Sequence, residues 1–188
     1  MIIKVTLGRW RFTFSMAPTE RVVGVNSKLP DGNHILMWDF DDVSPFRVIN
    51  NLVTVQKQYK LPNIYLLKTK EATYKRVGTI PIEGGEDIEE WGPVGSYIAY
   101  CFKRVTWQEA VAIIAATPDI DWNFFKYGVY RGKFTLRVTP KSGRKPKLIE
   151  VLEGYRAEDV KVHELRDWVQ YETLADGYES EKHEIKVK

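Results

Sequence analysis

Apolar and polar side chains alternate along the first 25 residues, through Ile3, Val5 and Leu7 and then Trp10, Phe12 and Phe14 beyond Gly8-Arg9. A period of two marks a strand with one buried face, and a glycine between two such runs predicts a hairpin. A third strand is expected over Arg21–Val25, followed by a turn at Pro30-Asp-Gly-Asn33. Ile35–Asp41 reads as a strand with Leu36, Trp38 and Phe40 on one face. Ser44 ahead of Pro45 is an N-cap followed by proline at the first helical position. Phe46, Ile49, Leu52 and Val53 carry helical spacing on to about Lys60, and Leu61-Pro-Asn63 ends it.

Further strands are expected at Ile64–Lys68, at residues 71–80 and at Ser96–Val105, with residues 83–93 as an exposed acidic loop. Thr106-Trp-Gln-Glu109 is a capping box that opens a helix over Trp107–Ala116, stopped by Thr117-Pro118. Phe134–Val138 alternates cleanly after Arg131-Gly132, and Lys147–Leu152 is expected to pair with it as a hairpin across Pro140–Gly143. A helix is expected over Ala157–Tyr171, then a charged tail. From residue 35 to 138 the order is strand, helix, strand, strand, helix, strand. That order predicts an α+β fold with a split βαβ core, ferredoxin-like or RNA-recognition-motif-like. Extra N-terminal strands precede the core and a C-terminal helical extension follows it. The expected division is a domain at residues 1–153 and an extension at 154–188.

Composition changes this picture little. With 188 residues, 44% apolar and 28% charged, the chain can bury a core and is not a disordered tract. The net charge of +3 is too small to name a partner, but its distribution is uneven. Lys126, Arg131, Lys133, Arg137, Lys141, Arg144, Lys145 and Lys147 follow one another with no acid between them, whereas Glu83-Gly-Gly-Glu-Asp-Ile-Glu-Glu90 is acidic. The basic run, over residues 126–147, predicts a strand and loop that engage nucleic acid or nucleotides. Cys101 is the only cysteine and lies in an apolar run, so it reads as a small buried hydrophobe. No signal-peptide core and no membrane-length apolar run is visible, which predicts a cytoplasmic protein with no membrane partner.

Asp39 and Asp41 alternate with Phe40, so they project from one face of their strand, about 7 Å apart at Cα. Two carboxylates so placed can converge on Mg²⁺ or Mn²⁺, the arrangement used to grip an attacking oxygen and a leaving phosphate. The same acids also fit a strand end and a helix cap, Asp42 above all. On the last core strand Thr135, Arg137 and Thr139 share a face, where Arg137 and Lys141, aided by Arg131 and Lys133, could meet phosphate. Lys68-Thr-Lys70 closes the strand after the first helix and fits surface lysines equally well. His34, His163 and His183 are too scattered for a paired-histidine endonuclease, and no Walker-type loop or Ser/His/Asp set is legible.

Together these pieces resemble the catalytic core of the archaeo-eukaryotic primase superfamily, the primase-polymerases of archaea, plasmids and viruses. The resemblance rests on Asp39-Phe-Asp41 as the acid-x-acid motif, Ile120-Asp121 as the apolar-acid motif and Leu136-Arg137 on the basic strand. It spans about residues 35–141. Where the family has Ser-x-His, this chain has Lys68-Thr-Lys-Glu-Ala-Thr-Tyr-Lys75; Thr69 stands for the serine, with Lys75 or Tyr74 in place of the histidine. The resemblance implies a nucleotidyltransferase that joins nucleotides on a nucleic-acid template with two Mg²⁺ or Mn²⁺ ions. Asp39, Asp41 and Asp121 would be its catalytic metal ligands, and Thr69, Lys75, Arg131, Lys133, Arg137 and Lys141 its nucleotide and nucleic-acid contacts. A replicative helicase is the implied protein partner. Two other readings stand beside it. One is a non-catalytic module stacking single-stranded bases on Tyr97, Tyr100, Phe124, Phe125, Tyr127 and Tyr130. The other is a protein-interaction domain that uses residues 83–93 and the acidic tail.

Overall fold

The computed structural model describes residues 2–7, 10–15, 18–80, 88–174 and 182–187. The fold is mixed α+β, built mainly from antiparallel pairings and, among the described residues, three α-helices. The N-terminal hairpin is present as β1 (Ile2–Leu7) and β2 (Trp10–Ser15), with β10 (Lys182–Val187) parallel to β1. Its Gly8-Arg9 turn lies outside the described residues. The third strand, β3 (Thr19–Asn26), lies between β7 (Thr135–Arg137) and β9 (Trp168–Leu174). The largest sheet runs β4 (His34–Val43), β6 (Ile88–Val105), β5 (Ile64–Ile80), β8 (Lys147–Leu152).

Both sequence-predicted helix starts form as their chemistry requires. Ser44 Oγ accepts from the Arg47 N–H at 3.3 Å and opens α1 (Pro45–Tyr59), which Lys60 closes in a left-handed conformation. Thr106 and Glu109 complete a reciprocal capping box on α2 (Trp107–Ala115). The α1 residues Val48, Leu52 and Val55 and the α2 residues Ala110, Ile113 and Ile114 are buried in one core with β4 and β6. Trp38 belongs to that core, and its indole N–H donates to Thr117 Oγ1 at 2.9 Å, which fixes the chain leaving α2.

Several expectations are corrected. Ile35–Trp38 are fully buried on both faces of β4, because the sheet is enclosed on both sides there. Residues 71–80 are not a separate strand but the outer half of β5, paired with residues 88–94 of β6 as a long two-stranded arm. Residues 88–93 of the expected acidic loop are therefore strand, while 83–87 lie outside the described residues. Lys147–Leu152 pairs with Ile64–Lys68 of β5 rather than with residues 134–138. The partner of β7 is β3, so the fourth strand of a ferredoxin-like sheet does not hydrogen-bond beside β4. The expected helix over 157–171 is absent: the chain makes a single 3₁₀ turn at Val162–Glu164 and then enters β9. A helix not expected, α3 (Trp122–Arg131), forms where the basic segment begins. Asp121 caps it at the start and Gly132 closes it at φ 69°, a conformation that glycine adopts without strain.

Residues 154–165 pack on the core. The Tyr155 N–H donates to the Leu61 carbonyl at 3.0 Å, and Val160 and Leu165 are buried. A Cβ on Gly154 would sit 2.1 Å from the Pro62 carbonyl carbon, so only glycine passes there. Among the described residues no helix is long and apolar enough to cross a membrane.

Candidate functional site

The site lies where β6 loses register with both neighbours. On the β4 side Phe40 pairs with Tyr97 and Val43 with Gly95, so Asp41 and Asp42 together face Ser96. On the β5 side Lys68 pairs with Tyr97 and Lys70 with Ser96, so Thr69 is left over. An extra residue bends its strand and re-aims the side chains beside it. Asp42 takes up the bend at φ 55°, a left-handed conformation that aspartate tolerates better than most residues. The Thr69 hydroxyl turns inward and donates to the Ser96 carbonyl at 3.1 Å.

A cleft of about 310 Å³ opens at these bulges. Asp39, Asp41, Asp42 and Thr69 line it from the four-stranded sheet; Arg137 comes from β7, and Lys141 from the turn that follows. The acids that share a face of β4 thus look across at the cations that the sequence placed on the basic segment. A second hollow, of about 340 Å³, adjoins the first through Asp39, Thr135, Tyr171 and Thr173 and reaches Asp121, Arg131 and Lys133. Every sequence-predicted site residue except Lys75 lines one of these two hollows. Lys75 instead pairs with Asp42 at 2.7 Å and faces a neighbouring depression with Arg47 and Arg76.

Asp39 is the electrostatic centre of the site. Burial, then the charges of Asp41 and Asp121, push its carboxyl up to about 8, against the pull of Arg137. Neither Asp39 nor Asp41 makes an ion pair among the described residues. Asp121 is bound to this pair through the backbone, its N–H donating to the Asp39 carbonyl at 2.9 Å. Its carboxylate accepts from the Phe124 N–H at 2.6 Å, the N-cap bond of α3. The loop that delivers it is pinned by Asp119, which accepts from Arg47 Nη2 at 2.6 Å and Asn51 Nδ2 at 2.9 Å. Among the described residues, no group of three or more His, Cys, Asp or Glu side chains is gathered closely enough to hold a metal by itself.

The cationic wall is oriented before any ligand arrives. Arg137 donates to three backbone carbonyls, those of Thr139 at 3.3 Å, Arg144 at 3.1 Å and Thr69 at 3.3 Å. The Thr69 carbonyl links that guanidinium to the bulge of the other sheet. Lys133 pairs with Asp167 at 2.9 Å, and Arg131 lies 5.8 Å from the Tyr127 ring centre.

The candidate stacking rings divide sharply. Tyr97 and Tyr100 are buried, and Phe124 and Phe125 pack on Phe134, which leaves Tyr127 and Tyr130 in solvent. Cys101 is buried and its thiol is pushed up to about 12 by desolvation, in keeping with a packing role. His34 is buried against Ser27 and Trp107, far in kind from a phosphate ligand. Sequence reasoning missed Tyr171 and Thr173, which wall both hollows from β9; Tyr171 ends the segment read as helix and Thr173 falls in the tail after it, so neither gives a sign of the cleft. It also missed Ser96, whose role follows from pairing slips that no single strand displays.

No protein family, curated protein or solved structure matches this chain.

Proposed function

We propose that this chain is a primase-polymerase-like nucleotidyltransferase that joins nucleotides on a nucleic-acid template. The carrying observation is one cleft with an acid pair, Asp39 and Asp41, on one wall and Arg137 with Lys141 on the other. A nucleoside triphosphate with its divalent ion has this polarity, anionic at the phosphates and cationic at the metal. Mg²⁺ and Mn²⁺ are commonly held by one or two carboxylates plus substrate phosphates and water, so a site with two acids and no third ligand suits them. Asp39 and Asp41 would hold the ion, which supplies Lewis-acid stabilisation of the charge developing on the transferred phosphate. Arg137, already fixed by three carbonyls, would clamp phosphate oxygens at little cost in side-chain entropy. Thr69 keeps its hydroxyl oxygen available as an acceptor at the floor, and Asp121 tunes Asp39 from the rim. The strand order β4-β6-β5, with α1 joining the two outer members, supports the split βαβ part of this reading.

The test is incorporation of dNTPs or NTPs on a primed and an unprimed template with Mn²⁺. Wild type should extend the primer or form dinucleotides, and Asp39→Ala/Asp41→Ala should lower the rate by roughly 10² or more. Wild type that incorporates nothing under either condition sinks the enzyme.

A further inference from the structure

The outward face of α3 has no part in the cleft chemistry just described, yet its composition is unusual for a solvated helix. Trp122 is 65% exposed, Tyr127 48% and Tyr130 88%. Three rings in solvent on ten residues is a poor solution for a helix facing only water. Helical geometry arranges them in two adjacent rows. Trp122, Lys126 and Tyr130 stand four apart in one row, and Asn123, Tyr127 and Arg131 stand four apart in the next. Lys126 lies 4.9 Å from the centre of the Tyr127 ring and Arg131 lies 5.8 Å from it, so cations sit among the rings. There is no acidic residue between Asp121 and Glu150, so nothing on this helix repels an anion.

The second row opens onto the cleft. Asn123, Tyr127 and Arg131 line the 340 Å³ hollow that shares Asp39, Thr135, Tyr171 and Thr173 with the acid-base cleft. A ligand on α3 therefore lies next to the site, with only the residues shared by the two hollows between them. We infer that the exposed face of α3 is a stacking platform for single-stranded nucleic acid, leading the strand into the Asp39 cleft; this rests on the function proposed above. Each base has a π-face for Trp122, Tyr127 and Tyr130, and each phosphate carries the charge that Lys126 and Arg131 attract. A folded duplex would keep its bases stacked within itself and could use only the cations. The platform thus selects unpaired strands.

The experiment is fluorescence anisotropy of a dye-labelled oligothymidylate, run beside binding of a fluorescent nucleoside triphosphate with Mn²⁺. The proteins are wild type, Trp122→Ala/Tyr130→Ala, Lys126→Glu and Asp39→Asn/Asp41→Asn. Removing the two rings should weaken oligonucleotide binding by roughly 10-fold or more while leaving triphosphate binding unchanged. Lys126→Glu should weaken it too and flatten its salt dependence. Labelled duplex should bind more weakly than the single strand and be indifferent to the ring substitutions. Wild-type affinity for the oligonucleotide that is absent, or unaltered in the ring variant, overturns the platform. The two ideas fail separately. Loss of triphosphate binding in no variant, or in wild type already, sinks the cleft while the ring-dependent anisotropy still reports on α3. Thermal melts of the ring variant should fall only slightly, since Tyr130 is in solvent and Trp122 touches the fold through the Phe125 ring.

Discussion

Ionising Asp39 costs it solvation where the fold packs around it and adds a negative charge beside Asp41 and Asp121, and that sets up a pH dependence. Its carboxyl rises from an ordinary 3.8 to about 8 in the fold, so the folded chain holds a proton that the unfolded chain releases. The stability this contributes is complete below about pH 4 and is lost as pH climbs through about 8. Asp39→Asn keeps the shape without the charge. Thermal melts should show the variant gaining on wild type at about pH 9, with the gain shrinking as pH falls and vanishing near about pH 4. A constant offset at both pH values would place the titration elsewhere. Millimolar Mn²⁺ should replace the missing proton as the counter-charge, raising the melting temperature of wild type at pH 8 and leaving Asp39→Asn/Asp41→Asn unmoved. Equal shifts in both proteins would mean that the ion binds somewhere else. The acid pair itself was plain in the sequence, because alternation on a strand needs only two residues. Its chemical state was not, since that comes first from burial, which only the packed fold decides, and then from Asp41 and from Asp121, the latter eighty-two positions away along the chain and brought close by a single backbone hydrogen bond.

Among the elements, α3 shows how packing overrules local preference. Gly128 sits inside it, where alanine would ordinarily favour the helix by about 1 kcal/mol. A Cβ there would lie 2.3 Å from a ring carbon of Phe134, a buried core residue, and overpacking of that kind costs about 1–3 kcal/mol. The clash should win, so Gly128→Ala should melt below wild type in a calorimetric scan; a variant that melts higher would show Phe134 able to yield. The helix escaped detection for the same reason. A glycine amid Phe124, Phe125, Tyr127 and Tyr130 looks unlike a helix until Phe134 is known to lie beneath it. Where a boundary rests on local chemistry the reading succeeded, as at Ser44-Pro45 and Thr106–Glu109. Thr106→Ala should cost about 1 kcal/mol, seen as a fall of about 2–4 °C in melting temperature. Where an element depends on a distant partner it did not. Lys147–Leu152 could join either of two strands on pattern alone, and residues 157–171 carry Val160 and Leu165 for the core without a helical stripe.

At the scale of the molecule, the two ends of the chain meet. β9 pairs along β3 from Leu174 opposite Thr19 to Trp168 opposite Val25, and Lys133 reaches Asp167 from beyond α3. A chain cut after Glu153 would leave one side of β3 bare and remove Tyr171 and Thr173 from the cleft. Near-ultraviolet circular dichroism of residues 1–153 should show loss of fixed tertiary packing; a native-like spectrum would mark the C-terminal strands as dispensable. The two walls of the cleft also belong to different sheets, the carboxylates to one and Arg137 to the other. Whatever bridges them acts as a rivet between layers that otherwise meet through side chains. Amide hydrogens of β7 and its neighbour β3 should then exchange more slowly once Mn²⁺ and triphosphate are added, although neither strand contributes a carboxylate to the cleft. Occupancy of one cleft at the seam would be felt as stiffness across the whole layer.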